Sequence, residues 1–163
     1  MSDTSAEQVP LEHVREDWQT ALCVVAHPDD MEFGAAAAVA RWTGMGKRVV
    51  YCMVTSGEAG IDGMHPEQAR QVREYEQVES ARIVGVEEVD FLGFSDGILE
   101  YGVPLRRAIA GVVRRHRPDI VVTNNFRDWW GGRALNQADH IATGRATLDA
   151  VRDAGNRWVF HEQ

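Results

Sequence analysis

Residues 21–30 read Ala-Leu-Cys-Val-Val-Ala-His-Pro-Asp-Asp, an apolar run that ends in one imidazole and two carboxylates. The apolar run predicts a buried parallel strand, and the small residues from Phe33 to Arg41 predict a helix after it. A strand-to-helix turn can use one aspartate as a helix cap, but a second carboxylate beside it is repulsive. Because a divalent cation removes that repulsion, we interpret the stretch as half of a metal site.

The rest of the chain alternates strand and helix patterns. Further strands are predicted over residues 47–55, 89–92 and 118–123, with a strand fragment over 158–160. Helices are predicted over residues 32–45, 67–85, 104–115 and 139–153. This alternation is typical of right-handed βαβ units, so we expect an α/β fold, a Rossmann-like three-layer sandwich with a mostly parallel sheet.

The predicted organisation is a flexible N-terminal arm over residues 1–18 and one domain over residues 19–163. In open parallel sheets, ligands bind beyond the carboxyl ends of the strands. The polar loops that follow the first, second and fourth predicted strands all lie at that edge. We therefore expect them to share one site.

Composition and charge argue against several classes of protein. The net charge of −8 disfavours nucleic acid as the main partner, because phosphate binding needs a basic surface. The N-terminal residues are polar, and no apolar stretch reaches the ~18 residues of a membrane span, so we expect no signal peptide, no membrane span and a cytoplasmic location.

Cys23 and Cys52 lie in predicted strands without a CxxC partner, which favours buried, reduced thiols. The sequence contains neither a G-x-G-x-x-G motif after the first predicted strand nor a G-x-x-x-x-G-K-[ST] motif, which argues against a nucleotide-binding protein of either type.

A catalytic zinc takes about three histidine or carboxylate ligands and keeps a position open for water. His27 and Asp30 lie three residues apart across the turn, so both can face one ion. Among the other histidines, His140 starts a predicted helix after the loop that leaves the fourth strand. A lone histidine there is usually solvated or cap-like. Its position at the same sheet edge as His27 makes it the favoured third ligand.

At these motifs the chain resembles the zinc-dependent de-N-acetylases called PIG-L or LmbE-like, which are related to N-acetylglucosaminyl-phosphatidylinositol de-N-acetylase. The matching motifs run in order along the chain: Ala26-His27-Pro28-Asp29-Asp30-x-Glu32, Thr55-x-Gly57-Glu58, Ala81-x-x-Val84-Gly85, Phe91-Leu92-Gly93 with Asp96-Gly97, Arg117-Pro118-Asp119 and Asp139-His140. The resemblance implies a Rossmann-like hydrolase that removes an N-acetyl group from an amino-sugar conjugate through a zinc-activated water.

The resemblance implies His27, Asp30 and His140 as the metal ligands. The same ligand types also suit Fe²⁺, Mn²⁺ or Co²⁺ in place of Zn²⁺. Asp29, which does not bind the metal in the family, is implied as the general base that takes a proton from water and returns it to the amine.

Two further residues near His140 are expected in the catalytic site. Asp139 could orient an imidazole, and a helix N-cap is an equally good interpretation of this residue. Gln137 stands where many members of the family carry a further histidine. A glutamine can donate a hydrogen bond to an oxyanion, but it cannot supply a proton.

Substrate contacts are expected from Glu58, Asp96 and the loop that precedes His140. In that loop, Trp129 and Trp130 could stack on a sugar face and Arg133 could hold an anionic group. The alternative is that at least one tryptophan is hydrophobic cover over the site, and that Asp96-Gly97 is simply a turn.

The chain is shorter than is usual in the family it resembles. It is interpreted as either truncated or a minimal member, and its sheet as short at the C-terminus. Because an unfinished sheet exposes a strand edge, either poor solubility or a homo-oligomer is expected. Two alternative functions remain: a truncated, non-catalytic metal-binding remnant, and a hydrolase of another bond such as a phosphoester. The latter ranks last because the ligands fill only one metal.

Overall fold

Four parallel strands form the sheet at the centre of the computed structural model, which describes residues 12–130 and 134–163. The strands are β1 (Thr20–Val25), β2 (Arg48–Thr55), β3 (Glu88–Phe94) and β4 (Ile120–Thr123). Their order in the sheet is β3-β2-β1-β4, and every pair is parallel. The predicted α/β class and parallel sheet are confirmed.

The described residues form five helices, which cover the two faces of this sheet: α1 (Asp30–Gly34), α2 (Ala36–Gly44), α3 (Pro66–Ile83), α4 (Val103–His116) and α5 (Ala138–Ala154). Alternate residues of β1 enter the two cores, as the period of a strand requires. Cys23 packs with residues of α1, α2 and α3, whereas Leu22 and Val24 pack with residues of α4 and α5. The result is the predicted three-layer sandwich. Among the described helices, none combines the length and the apolar character that a membrane crossing needs.

The helix predicted over residues 32–45 is two helices. Ala35 separates them with φ −140° and ψ 7°, outside the helical region. It serves as the C-cap of α1 and the N-cap of α2. The break makes α1 a single short turn that carries Asp30 directly after β1.

The strand fragment predicted over residues 158–160 is wrong, because this segment consists of turns. The guanidinium of Arg114 donates hydrogen bonds to five backbone carbonyls, two in the last turn of α5 and three in the segment that follows it. The acceptors belong to Asp153, Ala154, Asn156, Val159 and Phe160. Carbonyls that are satisfied by one side chain do not need the ladder of a neighbouring strand.

The N-terminal arm predicted over residues 1–18 is described only from residue 12 onward. Its last residue, Trp18, is buried edge-on against Trp42, with ring centroids 5.0 Å apart. Lys47 donates to the backbone carbonyls of Glu16 and Trp18. The end of the arm therefore packs on the domain, while residues 1–11 lie outside the described residues.

Both cysteines are buried and free, as expected from their place in β1 and β2. Burial raises the pKa of Cys23 to about 12 and raises the pKa of Cys52 as well. Thiolates are the reactive and metal-binding form, so neither cysteine is suited to catalysis at neutral pH.

The strand order places β1 beside β4, although β2 and β3 intervene in the sequence. The chain leaves β1 towards one face of the sheet, through α1 and α2, and leaves β4 towards the other face, through α5. Such a reversal opens a crevice at the carboxyl ends of the two strands, which is where ligands bind in open α/β sheets.

Candidate active site

A cavity of about 700 Å³ lies at the carboxyl ends of β1 and β4. Its lining includes His27, Asp29 and Asp30 from the turn after β1, and His140 from α5. The side chain of Asn124, just after β4, accepts a hydrogen bond from the backbone N–H of Ala26 at 2.8 Å. This bond ties the two strand ends together and fixes the floor of the crevice.

His27, Asp30 and His140 converge on one point, with one ligand atom from each within 4.8 Å of the others. His140 Nε2 lies 3.1 Å from Asp30 Oδ1, and His27 Nδ1 lies 3.7 Å from Asp30 Oδ2. All three side chains are largely buried. Two imidazoles and a carboxylate are a donor set of catalytic zinc sites, so these residues fit a divalent cation.

An oxygen acceptor holds the second ring nitrogen of each imidazole. Asn136 Oδ1 lies 3.1 Å from His140 Nδ1, and Asp139 Oδ2 lies 3.2 Å from His27 Nε2. With a cation bound, a proton on each of these nitrogens would leave a lone pair on His140 Nε2 and on His27 Nδ1, the atoms that face Asp30. Such partners fix the tautomer and orientation of ligating histidines.

The carboxylate of Asp139 contacts an imidazole, and Asp139 is not the N-cap of α5. The N-cap of α5 is Gln137, and its side chain makes no capping hydrogen bond. The buried carboxylate of Asp139 instead accepts from the backbone N–H groups of Gly97 at 2.7 Å and Leu99 at 3.1 Å, besides its contact with His27. Of the two interpretations of Asp139 from the sequence, the geometry supports the orienting one, and the imidazole concerned is His27 rather than the adjacent His140.

The carboxylate of Asp30 stays ionised in this setting. Burial alone would raise its pKa, but the hydrogen bond with His140 and another from the backbone N–H of His27 outweigh that cost, and the pKa of Asp30 is lowered. The bond from the His27 N–H to Asp30 Oδ2 measures 2.9 Å. A charged carboxylate is the form that binds a cation.

Asp29 has an unusual backbone conformation, with φ 81° in the left-handed region. This conformation costs a residue other than glycine about 1–3 kcal/mol, so it persists only where neighbouring groups hold it. Asp29 occupies the N-cap of α1, yet its side chain makes no cap hydrogen bond. Its half-exposed carboxylate lines the cavity instead, and Oδ2 lies 3.1 Å from Nη2 of Arg73.

The loop between β4 and α5 carries Trp129 and Trp130, and only one of these two tryptophans lines the cavity. Trp130 lines it, and its ring stands edge-on to the ring of His140 with centroids 5.8 Å apart. Trp129 pairs with Leu135 in an isolated bridge and does not line the cavity. Gln137 lines the cavity, as expected of a residue at that position. Arg133 lies outside the described residues.

The two acidic residues predicted to contact substrate occupy different places. Asp96 lines the cavity, and its Oδ1 lies 3.0 Å from His27 Nε2. Glu58 does not line the cavity: its carboxylate accepts from the backbone N–H of Asp96 at 3.1 Å and pairs with Arg70 at 3.1 Å. Glu58 therefore supports the loop that carries Asp96. His27, Asp96 and Asp139 form a second group with metal-binding spacing, but the contacts of both carboxylates with His27 Nε2 account for it.

Sequence reasoning missed three polar residues that shape this site, namely Asn136, Arg73 and Gln77. Asn136 lies four residues before His140, and its amide nitrogen donates to the carbonyls of Asn125 and Arg127, which turns Oδ1 towards the imidazole. Arg73 donates to Pro28 O at 2.7 Å. An asparagine one helical turn before a candidate ligand is the one sequence signal that could have been used.

The chain matches the family described as PIG-L, GlcNAc-PI de-N-acetylase, over residues 22–151. It is 33% identical over 141 residues to diacetylchitobiose deacetylase of Thermococcus kodakarensis, covering 85% of this chain and 51% of that protein. It is 30% identical over 137 residues to the probable N-acetyl-alpha-D-glucosaminyl L-malate deacetylase 2 of Bacillus anthracis, covering 80% and 58%. The chain thus spans about half the length of these relatives.

Solved structures are similar over the same share of the chain. The N,N'-diacetylchitobiose deacetylase of Pyrococcus horikoshii has a TM-score of 0.82 and 26% identity, covering 90% of this chain and 54% of that one. A conserved protein of Thermus thermophilus has a TM-score of 0.73 and 34% identity, covering 85% and 58%. The 4-carboxy-2-hydroxymuconate hydratase of Pseudomonas putida has a TM-score of 0.76 at 22% identity, covering 86% and 59%, and this similarity concerns the fold alone.

Proposed function

Because the chain belongs to the PIG-L family, we propose that it is a metal-dependent hydrolase that removes the N-acetyl group from an N-acetylglucosamine-type conjugate. The observation that carries this proposal is the convergence of His27, Asp30 and His140 beside the carboxylate of Asp29. Two relatives whose names state deacetylation of acetylated amino sugars or their conjugates support the choice of bond and substrate class. A hydratase has a similar fold, and fold alone does not determine which reaction a protein catalyses. The proposal therefore depends on the residues of the site.

His27, Asp30 and His140 would hold the cation, with Zn²⁺ as the proposed metal and Fe²⁺, Mn²⁺ or Co²⁺ as ions with compatible ligand preferences. When bound, the cation supplies Lewis-acid activation of water and of the acetamide carbonyl. The acceptors on the far nitrogens, Asn136 and Asp139, would orient both imidazoles towards the ion.

Asp29 is the proposed proton carrier. Its carboxylate takes the proton of the attacking water and later gives it to the departing amine nitrogen, which leaves poorly unless it is protonated. Arg73 contacts Oδ2, whereas no donor among the described residues contacts Oδ1, which leaves that oxygen for the proton. Gln137 is placed to donate a hydrogen bond to the developing oxyanion, but an amide cannot transfer the proton, so that duty falls on Asp29.

The proposed substrate contacts differ in their support. Trp130 and Asp96 line the cavity, and we propose that Trp130 stacks on a sugar face while Asp96 accepts from a hydroxyl group. Glu58 acts through Asp96 in this proposal, since it holds the backbone of that residue. Contacts from Trp129 and Arg133 stay predictions.

The test is acetate release from N,N'-diacetylchitobiose and related N-acetylglucosamine conjugates by the purified chain and by Asp29→Asn. We expect the variant to lose about 10²–10⁴-fold in turnover, the usual contribution of a general base, with its metal content unchanged. Asp62→Asn, in an exposed loop, is the matched control. Equal turnover by Asp29→Asn would contradict the proposal. No acetate from either protein, with one metal per chain, would favour the non-catalytic remnant.

Metal analysis tests the ligand set separately from catalysis. His140→Ala is expected to lose most of the bound metal, whereas His161→Ala, an exposed histidine near the end of the described chain, should keep it. Full metal content in His140→Ala would contradict the proposed ligands.

A further inference from the structure

Gln77 of α3 is a buried amide that the proposed reaction does not use. Its side chain and backbone are only 2% exposed, and a buried amide must satisfy both its oxygen and its nitrogen. Its Oε1 accepts from the backbone N–H of Asp29 at 2.8 Å. Its Nε2 donates to Glu32 Oε1 at 3.0 Å. The amide therefore bridges two residues on either side of Asp30.

Gln77 belongs to one face of α3 that contacts the turn after β1. Arg73 and Gln77 are four residues apart, so they lie on the same side of the helix, and Ser80 follows one turn later. Arg73 donates to Pro28 O and to the carboxylate of Asp29, and Ser80 donates to Glu32. Of these contacts, only that of Gln77 reaches the backbone of Asp29.

The backbone of Asp29 needs such a partner. A left-handed φ is unfavourable for an aspartate, and a bond to its N–H stabilises the peptide orientation that goes with this φ. The same orientation presents the carboxylate to the cavity. Arg73 cannot replace Gln77 in this respect, because it holds the side chain and not the N–H.

We propose that Gln77 is a positioning residue, which holds Asp29 in the left-handed conformation and so places the proton-carrying carboxylate for the reaction. This inference rests on the proposed function for its kinetic consequence. A residue that only filled the core would be replaced without loss by an apolar side chain of similar volume. A positioning residue would depend on the two hydrogen bonds that it makes.

Three variants separate these roles. Gln77→Leu removes both bonds, and Gln77→Glu keeps an acceptor for Asp29 but sets its second oxygen against Glu32. The double variant Gln77→Glu with Glu32→Gln keeps the bond from Asp29 and restores the bond between residues 77 and 32 with donor and acceptor exchanged. Ser80 Oγ, which contacts the same oxygen of Glu32, can accept from the amide nitrogen that takes its place.

The kinetic test compares kcat, KM and metal content of the three variants, with folding checked by thermal unfolding. We expect Gln77→Leu to lower kcat roughly 10- to 100-fold, since small misplacement of a catalytic group has effects of this order, while KM and metal stoichiometry stay unchanged. The double variant should recover most of the kcat that Gln77→Glu loses. Unchanged kcat in Gln77→Leu, or no recovery in a folded, metal-loaded double variant, would overturn the proposal.

A second readout does not need activity. Amide hydrogen exchange at Asp29, followed by NMR, should be protected in the wild type, faster in Gln77→Leu and protected again in the double variant. If the wild-type chain releases no acetate, the proposed function fails while this experiment still tests the role of Gln77. Equal exchange at Asp29 in the wild type and in Gln77→Leu would overturn the positioning role whatever the chain hydrolyses.

Discussion

The Nε2 atom of His27 lies 3.2 Å from Oδ2 of Asp139, although 112 residues separate them in the sequence. The same buried carboxylate accepts hydrogen bonds from the backbone N–H groups of Gly97 and Leu99. One side chain of α5 therefore holds together the end of β1, the loop after β3 and its own helix. If Asp139 loses one of its two acceptor oxygens, we expect the imidazole of His27 to be held less firmly in its orientation.

Asp139→Asn is expected to weaken metal binding about 10- to 100-fold, the usual effect of losing the partner of a ligating histidine. An asparagine has a single acceptor oxygen and cannot serve three donors. Competition with a chromophoric zinc chelator measures the affinity. Asp149→Asn, which alters a partly exposed acid of the same helix, is the control. Wild-type affinity in Asp139→Asn would show that this carboxylate does not orient a metal ligand.

Gly144→Ala should destabilise the protein by about 1–3 kcal/mol, because it overpacks the contact between α5 and the loop after β4. A Cβ atom there would lie 2.7 Å from the carbonyl oxygen of Asn124 and 2.8 Å from Cβ of Phe126. Urea unfolding measures the change. In Gly44→Ala the new methyl group meets nothing within 4 Å, so that variant should lose no stability. Equal stability of the two variants would contradict the close approach.

Arg114→Lys should loosen the turns after α5 by roughly 1–3 kcal/mol of local stability, since a lysine ammonium cannot reach the carbonyls that the guanidinium fork serves. Hydrogen exchange monitored by mass spectrometry should be faster over residues 154–163, with little change in the sheet. Arg115→Lys, at an exposed pair with Asp90, provides the comparison. Unchanged exchange in Arg114→Lys would mean that these bonds do not hold the segment.

The stability of the protein should depend on the ionisation of Asp119. Hydrogen bonds from the backbone N–H groups of Gln19 and Thr20 lower the pKa of this carboxyl below its ordinary value. A group whose pKa is lowered on folding stabilises the protein above its unfolded pKa, and that contribution is lost as pH falls through the folded pKa. Asp119→Asn should therefore be less stable than the wild type near neutral pH, and the gap should close in acid.

Unfolding free energies measured from about pH 6 to about pH 2 give this comparison, because the contribution is lost below the ordinary aspartate pKa of ~3.9, as pH falls towards the lowered folded value. Asp62→Asn should follow the wild-type curve, as it replaces an exposed loop carboxylate. A gap of constant size between Asp119→Asn and the wild type would show that the charge of Asp119 contributes no stability.

Structural features that depend on the local pattern of apolar and polar residues could be predicted from the sequence. The apolar runs of β1 and β2 and the alternation with helices predicted the parallel sheet and its two helical layers. The dense motif at residues 27–30 predicted half of the candidate metal site, and the edge of the sheet on which His140 had to lie followed from the topology.

Features that depend on distant contacts could not be predicted in this way. Ala35 is a good helix former, so nothing local announces the break between α1 and α2. Gln77 lies on a polar face of α3 that suggests solvent, yet its amide is buried against the turn after β1. Trp158-Val159-Phe160 has the composition of a strand, but Arg114 satisfies its carbonyls from another helix.

Strands β1 and β4 are neighbours in the sheet but lie far apart in the sequence, so the residues of the candidate site are synthesised at different times. His27 and Asp30 are made more than a hundred residues before His140, so at a translation rate of about 5–20 residues per second a nascent chain carries an incomplete ligand set for roughly 5–20 s. During that interval only two of the three proposed ligands have been synthesised. If these residues bind a metal as proposed, the complete ligand set that distinguishes Zn²⁺, Fe²⁺, Mn²⁺ and Co²⁺ exists only in the finished domain, and not in the ribosome-bound chain.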